Sequence, residues 1–344
     1  MSGGLAMGAP TDLAGTAATC QACGGEVADD GYCNTCGARA PRRRDHYSEE
    51  PSSWVAAVCD RGIRHARNED AAAVAADPEP ASRAVLVVCD GVSSSVDSDL
   101  ASLAAARAAR DVLTSSRALG MGTPPSLVAA VIARLERATD AANAAVLEVT
   151  LNTRDVATVG AGSVVGGPRA TTTAEFSPAS CTFVAAVVER DLLVVGSVGD
   201  SRAYWLPDAG EARALTVDDS YSQAQIAAGV PRAEAETGPH SHAITRWLGV
   251  DAPDHKPTTA TMTLTEPGWL LVCSDGLWNY CSAAADLAAL VQQASSTSPA
   301  AAEPLALAGA LVGWANAQGG QDNITVALAR LQPHPLREEA PSDG

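Results

Sequence analysis

Short apolar runs, rich in β-branched residues and bounded by turn residues, recur along most of this 344-residue chain. Each is too short for a helix of ordinary length, and the pattern therefore predicts β-strands. One pair of runs is joined by a short turn at 189–191, which favours antiparallel pairing. The runs cover residues 54–58, 84–89, 181–188, 192–198, 269–273 and 324–328.

Three other segments have the spacing of helices. Apolar and small residues at 127–146 recur at three- and four-residue steps, which makes one amphipathic face. Residues 100–113 and 304–317 are also predicted helices. Residues 153–180 are rich in Gly, Thr and Ser and are predicted to form a loop. The order of these elements predicts an α+β fold, in which helices cover antiparallel sheets.

The same patterns divide the chain into regions. Residues 1–19 have no periodicity and are predicted to be disordered, and residues 20–40 hold two pairs of cysteines. We expect a charged linker at 41–53, a main domain at 54–331, and a flexible tail rich in Pro and Glu at 332–344.

Composition narrows the class of protein. Hydrophobic residues make up 47% of the chain, enough for a large core, and the net charge is −17. Such acidity argues against general nucleic-acid binding and suits a site that collects cations. No run reaches the roughly 18 apolar residues of a membrane span, and the N-terminus lacks the pattern of a secretory signal. We therefore expect a cytoplasmic protein with no membrane partner.

Acidic residues stand at the ends of several predicted strands, each beside a Gly or a small polar residue. Carboxylates suit Mg²⁺ or Mn²⁺, and strand ends meet at one edge of a sheet, so acids distant in sequence can share cations there. Two cations about 3.5–4 Å apart can activate a water for attack on a phosphoryl group. Any one of these acids alone could instead cap a helix or shape a turn. They are Glu69, Asp70, Asp90, Asp200, Asp275 and Asp322.

Six motifs around these acids resemble, in order, those of the protein phosphatase 2C family of metal-dependent serine/threonine phosphatases. The resemblance covers roughly residues 54–331. The motifs are Asp-Arg-Gly-Ile-Arg-His-Ala-Arg-Asn-Glu-Asp (60–70), Val-Cys-Asp-Gly (88–91), Val-Gly-Asp-Ser-Arg-Ala (198–203), Ile-Thr-Arg-Trp-Leu-Gly (244–249), Cys-Ser-Asp-Gly-Leu-Trp (273–278) and Gln-Asp-Asn-Ile-Thr (321–325).

The resemblance implies a central sandwich of two antiparallel sheets with helices on both sides. It implies two Mn²⁺ or Mg²⁺ ions bridged by Asp90, one of them also bound by Glu69 and the Gly91 carbonyl. Asp275 and Asp322 would bind the other ion. In bacterial members the counterpart of Asp200 often binds a third metal, and the counterpart of Asp70 orients the attacking water.

Two positions depart from the family pattern. The family usually has an Arg four residues before the metal-binding Glu, where it grips the substrate phosphate, and here that residue is His65. A protonated His65 could still donate to a phosphate oxygen, and that grip should weaken as the pH rises. Alternatively His65 only packs, and Arg64, Arg67 or the metals hold the phosphate. The His that follows Asp-Gly in some members is replaced by Val92, so another group must donate the leaving-group proton.

Two Cys-x-x-Cys-Gly motifs lie in the N-terminal region, with nine residues between the pairs. Four thiolates at this spacing fit tetrahedral Zn²⁺ in a closed structural site, which resembles a small zinc ribbon. A redox role for a single pair would need a larger α/β fold around it. The proposed ligands are Cys20, Cys23, Cys33 and Cys36.

The resulting prediction is a hydrolase that removes phosphate from phosphoserine and phosphothreonine, with the substrates of a serine/threonine protein kinase as its partners. Intact acids at Asp90, Asp275 and Asp322 favour this activity. The alternative is a non-catalytic module that binds phosphoproteins through a phosphatase-like fold and uses the ribbon as an adaptor. The substitution at His65 favours that alternative. Hydrolysis of a small phosphate metabolite is a third hypothesis.

Overall fold

A computed structural model describes residues 5–7, 19–20, 22–117, 120–160, 177–238, 240–297 and 299–333. Two six-stranded antiparallel sheets dominate these residues. The first sheet has the order β1-β4-β5-β7-β8-β12. Its strands are β1 (Ala6–Met7), β4 (Ala71–Ala76), β5 (Arg83–Cys89), β7 (Phe183–Glu189), β8 (Leu192–Val198) and β12 (Thr258–Thr263).

The second sheet has the order β10-β9-β13-β14-β3-β2, and its neighbouring strands are also antiparallel. Its strands are β2 (His46–Ser52), β3 (Val55–Asp60), β9 (Arg202–Pro207), β10 (Arg213–Ala214), β13 (Gly268–Cys273) and β14 (Ile324–Leu331). A small third sheet pairs β6 (Ser180–Cys181) with β11 (Leu248–Gly249).

Helices cover the outer face of each sheet. The long helices α1 (Ser98–Thr114) and α2 (Pro124–Gly160) pack on the first sheet, and α6 (Ala284–Ser295) and α7 (Pro304–Gln318) pack on the second. The shorter helices are α3 (Tyr221–Ala227), α4 (Arg232–Ala235) and α5 (Asp275–Trp278). Within the described ranges, none of the helices combines the length and the apolarity that a membrane span requires.

The layering explains why the strands are apolar at nearly every position. Along β5, Val85 and Val87 pack against the helices α1 and α2, whereas Leu86 and Val88 pack between the two sheets. Strands covered on both faces lose the usual alternation of polar and apolar residues. The predicted sandwich of two antiparallel sheets with helices on both sides is therefore confirmed.

Small residues set the distance between layers. Helix α1 faces the first sheet with four fully buried alanines. On β8, a Cβ atom at Gly196 would lie 2.1 Å from Leu135 Cδ2, so α2 approaches the strand at a position that has no side chain. An Ala-rich chain with few aromatic residues can thus still form a dense core, because backbones approach closely where side chains are small.

The region boundaries predicted from the sequence need three corrections. Residues 46–52 are not a linker but form the edge strand β2. Tyr47 and Glu49 on this strand face inward, and the residues next to them face solvent. Ala6–Met7 pair with β4, so the predicted disorder is wrong for residues 5–7, and residues 1–4 and 8–18 lie outside the described part. Helix α2 continues to Gly160, into the segment predicted as a loop. Of the predicted tail, residues 334–344 lie outside the described part.

Candidate metal centre and active site

The first sheet brings Asp70 and Asp90 side by side. Ala71, the first residue of β4, is paired with Cys89, the last residue of β5, so the two aspartates are the next residues at this edge. The backbone N–H of Asp90 donates to Thr182 Oγ1 at 3.0 Å and thereby fixes the loop after β5 against β7. This register places two predicted site acids together.

The second sheet adds three further acids at the same end of the sandwich. Cys273 on β13 is paired with Val326 on β14, so Asp275 and Asp322 lie just beyond neighbouring strand ends. Asp200 lies in the turn that joins β8 of the first sheet to β9 of the second. The predicted convergence of the acids at one edge is therefore what the strand register produces.

The clustered carboxylates destabilise each other's charged form. Burial, with the negative charges of neighbouring acids added, raises the pKa of Asp90 and Asp275 well above the usual range. Burial is also the main cause that raises the pKa of Asp70 to about 7, and burial and the charge of Asp218 raise the pKa of Asp200 to about 7. A divalent cation would remove this repulsion, which is why such a cluster has affinity for metal.

Two features of the cluster fit a cation. Asp70 Oδ1 and Asp275 Oδ1 are buried and have no hydrogen-bond partner, which is costly for a carboxylate unless a cation or a water compensates. A Cβ atom at position 91 would lie 2.6 Å from the Glu69 carbonyl oxygen and 2.7 Å from that of Ser98. Gly91 is therefore required for the backbone to approach the site this closely.

Asp70 is the most deeply buried acid of the site, with no exposed surface. Its Oδ2 accepts hydrogen bonds from Ser274 Oγ at 2.6 Å and Thr325 Oγ1 at 2.8 Å. These hydroxyls lower the pKa of Asp70, but burial outweighs them. Sequence analysis did not identify Ser274 and Thr325, although both lie inside quoted motifs, one residue before Asp275 and three after Asp322.

Glu69 differs from the other acids because it is already neutralised. Its Oε1 accepts from Arg67 Nη2 at 2.7 Å and from Ser98 Oγ at 2.5 Å, and its Oε2 accepts from Ser93 Oγ at 2.9 Å. Burial alone would raise the pKa of Glu69, but hydrogen bonds from Ser98, Arg67 and Ser93 lower it. The loop after Asp90 and Gly91 thus supplies a partner for Glu69 through Ser93.

His65 lies between two of the predicted metal ligands. Its Nε2 is 3.2 Å from Asp322 Oδ1 and its Nδ1 is 3.7 Å from Glu69 Oε2, with 25% of the side chain exposed. Arg67 is committed to Glu69, and Arg64 faces solvent. Of His65, Arg64 and Arg67, His65 therefore lies best placed for an anion that approaches the acids.

Two arginines of the motifs have structural partners. Arg202 pairs with Asp218 at 2.6 Å and stacks over the Trp278 ring with its guanidinium carbon 3.6 Å from the centroid. Arg246 Nη1 pairs with Asp219 Oδ2 at 3.2 Å. Both arginines hold the segment 216–243, which contains α3 and α4, against the sheet ends.

The segment 216–243 also supplies a side chain that sequence analysis missed. His242 Nδ1 lies 4.0 Å from Asp275 Oδ2, and its side chain is mostly exposed. Nothing in the sequence marks this residue, because the segment has no motif of its own and its approach depends on the fold of α3 and α4. His242 therefore lies near the acids in a protein that has Val92 where some family members have a histidine.

The four N-terminal cysteines form a second, separate cluster, with their sulfur atoms all within 4.8 Å of one another. Cys20 Sγ lies 3.6 Å from Cys36 Sγ, and Cys23 Sγ lies 3.5 Å from Cys33 Sγ. Backbone N–H groups of Cys36 and Thr35 lower the pKa of Cys33 to about 6. In the part of the chain that the structure describes, this is the one such group of three or more His, Cys, Asp or Glu ligand atoms.

The arrangement matches a known family. The sequence pattern of protein phosphatase 2C matches residues 62–312. The chain belongs to the protein phosphatase 2C family. The matched residues contain five of the six acids of the site, and Asp322 lies ten residues beyond the match.

Curated relatives of the chain are bacterial phosphatases. The serine/threonine phosphatase stp of Listeria welshimeri is 31% identical over 148 residues, which are 43% of this chain and 55% of that protein. The stp protein of Listeria innocua is 32% identical over the same length. The chain thus spans about half the length of the curated relatives it matches.

Solved structures show the same fold over most of the chain. The Mycobacterium tuberculosis serine/threonine phosphatase PstP/Ppp is 24% identical, with a TM-score of 0.55, and the match covers 81% of this chain and 98% of that one. The catalytic domain of PstP in complex with two manganese ions gives 23% identity, a TM-score of 0.53 and coverage of 80% and 96%. The phosphatase MsPP from Mycobacterium smegmatis, in complex with cacodylate, gives 25% identity, a TM-score of 0.53 and coverage of 80% and 97%.

The raised pKa values predict how the stability of the metal-free protein depends on pH. The pKa values of Asp70 and Asp200 rise from 3.8 to about 7 on folding. At a pH between these two values, the folded protein therefore binds more protons than the unfolded chain. Their contribution is fully present below about pH 4 and is lost as the pH rises through about 7. We expect the Tm of metal-free protein to fall between about pH 5 and about pH 8, and saturating Mn²⁺ to reduce that fall.

The variant that tests this explanation is Asp275→Asn, which removes one charge from the cluster. It should raise the Tm of metal-free protein at about pH 8 and lose the response to Mn²⁺. Differential scanning calorimetry at both pH values measures each effect. If Asp275→Asn lowers the metal-free Tm at the higher pH, mutual repulsion does not limit the stability of the cluster.

Proposed function

We propose that this protein is a metal-dependent phosphatase acting on phosphoserine and phosphothreonine in proteins. The observation that carries the proposal is the cluster of Asp90, Asp275 and Asp322 at the sheet ends, with a buried, unpartnered oxygen on Asp275. Similar bacterial proteins are named serine/threonine phosphatases, and a solved structure of the same fold holds two manganese ions. The substrates we infer are phosphoproteins made by a serine/threonine protein kinase, and the compartment we infer is the cytoplasm.

We propose for the acids the roles that the family resemblance implies. Asp90 would be shared between two Mn²⁺ or Mg²⁺ ions, with Glu69 and the Gly91 carbonyl on one, and Asp275 and Asp322 on the other. Asp200, in the turn between the sheets, is the proposed ligand of a third ion. When bound, these ions lower the pKa of water and neutralise charge on the phosphoryl group.

Asp70 is proposed to orient the attacking water. Hydroxyls of Ser274 and Thr325 occupy Oδ2, so Oδ1 is left to accept a proton from water. A carboxylate fixed through one oxygen keeps its second oxygen in a constant position, which reduces the reorganisation needed during reaction. Its raised pKa, caused mainly by burial, makes Asp70 a better proton acceptor than an exposed aspartate.

The phosphatase proposal predicts a strict requirement for Asp275. We expect Asp275→Asn to reduce Mn²⁺-dependent turnover of p-nitrophenyl phosphate and of a phosphothreonine peptide by about 100-fold or more, because a ligand of the metal centre is lost. The matched control is Asp286→Asn, an exposed acid in the first turn of α6, which should keep full activity.

A non-catalytic binding module makes the opposite prediction for the same assay. Absence of Mn²⁺-dependent turnover in the wild-type protein, with retained binding of the phosphopeptide, would replace the phosphatase proposal with that alternative. Equal activity of Asp275→Asn and Asp286→Asn would show that the metal centre takes no part in the reaction.

His65 is proposed to grip the substrate phosphate in place of the family's arginine. The imidazole lies 3.2 Å from Asp322 Oδ1, so a phosphate held between the metals would also lie within its reach. We expect His65→Ala to raise KM by about tenfold, the scale of one charge-assisted hydrogen bond. His65→Arg should restore KM and should remove the loss of affinity that we expect in the wild-type protein as the pH rises. If His65→Ala leaves turnover and its pH dependence unchanged, another group binds the phosphate.

The cysteine cluster is proposed to bind one structural Zn²⁺. Tetrahedral coordination with Zn–S distances of about 2.3 Å places sulfur atoms about 3.8 Å apart. The two sulfur pairs at 3.6 and 3.5 Å come close to that separation before any ion is considered. Four thiol ligands leave no open position for substrate, so the zinc would stabilise structure rather than react.

The zinc proposal predicts a stoichiometry. Purified full-length protein should contain one Zn²⁺ per chain by inductively coupled plasma mass spectrometry, and Cys23→Ser with Cys36→Ser should abolish it. Cys281→Ser, which changes a cysteine outside the cluster, is the matched control and should keep the metal. Zinc content that is equal in the double variant and the control would exclude this site.

A further inference from the structure

The N-terminal cysteine region touches the active-site loop. Residues 61–69, which we name the His65 loop, carry both His65 and Glu69. Arg39, three residues after Cys36, donates through Nη1 to the carbonyl oxygen of Ala66 at 3.1 Å. The bond therefore joins the predicted zinc ribbon to the residue directly after His65.

The catalytic domain holds the His65 loop on either side of that point. Backbone N–H groups of Ile63 and Arg64 donate to the Gly320 carbonyl at 2.9 and 3.0 Å. Asn323 Oδ1 accepts from the Glu69 N–H at 2.7 Å, and its Nδ2 donates to the Arg67 carbonyl at 3.1 Å. Between these anchors, the hydrogen bond from Arg39 restrains Ala66.

A second arginine of the same N-terminal segment continues the contact. Arg44 is buried, and its guanidinium donates to the carbonyl oxygens of Asn68 and Asp70, each at 3.1 Å. In return, Asn68 Nδ2 donates to the Arg44 carbonyl at 2.9 Å. Ala66, Asn68 and Asp70 are alternate residues, so residues 39–44 follow one side of the loop as it approaches β4.

The position of Arg39 depends on the cysteine cluster. The Cys33 N–H donates to the Ala38 carbonyl at 2.8 Å, and the Ala40 N–H donates to the Gly31 carbonyl at 2.8 Å. These bonds enclose Arg39 on both sides and tie it to the turn that carries Cys33. A segment this short has no apolar core, so a metal at the cysteines would supply its folding energy.

We propose that the zinc-loaded ribbon positions the His65 loop, and that zinc occupancy thereby controls the affinity for substrate phosphate. Arg39 is the positioning residue: it contacts the loop and not the substrate. Glu69 is held independently by Arg67, Ser93 and Ser98, so loss of the Arg39 bond should displace His65 and leave the metal ligands in place. This inference rests on the phosphatase proposed above.

The test compares Arg39→Ala with two further variants in the full-length, zinc-loaded chain. Arg39→Ala should raise KM for a phosphothreonine peptide by about two- to tenfold, the effect of one hydrogen bond, with kcat unchanged. Arg39→Lys keeps a donor and should restore most of the affinity. Arg43→Ala removes the same charge from an exposed neighbour that makes no hydrogen bond to the loop in the described structure, and it should match wild type.

Hydrogen–deuterium exchange gives a readout that does not need activity. Amides of residues 61–67 should exchange faster in Arg39→Ala and in protein stripped of zinc by a chelator, and at the wild-type rate in Arg43→Ala. Unchanged exchange after zinc removal, or equal KM changes in Arg39→Ala and Arg43→Ala, would overturn the proposal. Loop exchange that responds as expected in a chain without any turnover would instead refute the proposed phosphatase activity and leave the structural coupling standing.

Discussion

Mutual repulsion among buried carboxylates is the constraint on which the functional end of this protein depends. The fold places Asp70, Asp90, Asp200 and Asp275 where burial and neighbouring charge oppose ionisation. Strands that are apolar on both faces hold the acids there, because the surrounding core cannot relax to separate them. The repulsion can be removed by protons or by divalent cations, and cations remove it without loss of the negative charge that binds them.

The acids differ in the partners that hold their carboxylates before any cation binds. Asp70 is held through one oxygen by two hydroxyls, whereas Glu69 is already paired with Arg67 and two serines. A site built in this way has one part that is set before any ion binds and another that changes its protonation when the ion arrives. The distinction explains why the pKa of Glu69 is lowered, whereas the pKa values of Asp70, Asp90, Asp200 and Asp275 are raised.

Much of the fold and the acidic site could be predicted from the sequence. Apolar runs predict the strands β3, β5, β7, β8, β13 and β14, and the acids at strand ends indicate the site, because strand ends share an edge. Other features depend on contacts that no local pattern shows. The sequence predicts a linker at 46–52 because most residues there are polar or charged, yet Tyr47 and Glu49 face inward in β2. The approach of His242 to Asp275 and the bond from Arg39 to Ala66 arise from segments that are distant in sequence.

The N-terminal region is therefore part of the same structural unit as the acidic cluster. Residues 43–52 contribute a buried arginine and an edge strand to the sandwich, and the cysteine cluster lies directly before them. The N-terminal region connects to the His65 loop without a path through the core, because β2 pairs with β3, and β3 leads directly into that loop.

The central claim is that Asp90 joins two cations in one site. Electron paramagnetic resonance of the Mn²⁺-loaded protein tests it directly, because two Mn²⁺ ions that share a ligand are magnetically coupled. The account predicts a coupled-pair spectrum in the wild-type protein and its replacement by the signal of isolated Mn²⁺ in Asp90→Asn. A wild-type spectrum of isolated ions alone at saturating Mn²⁺ would contradict the account.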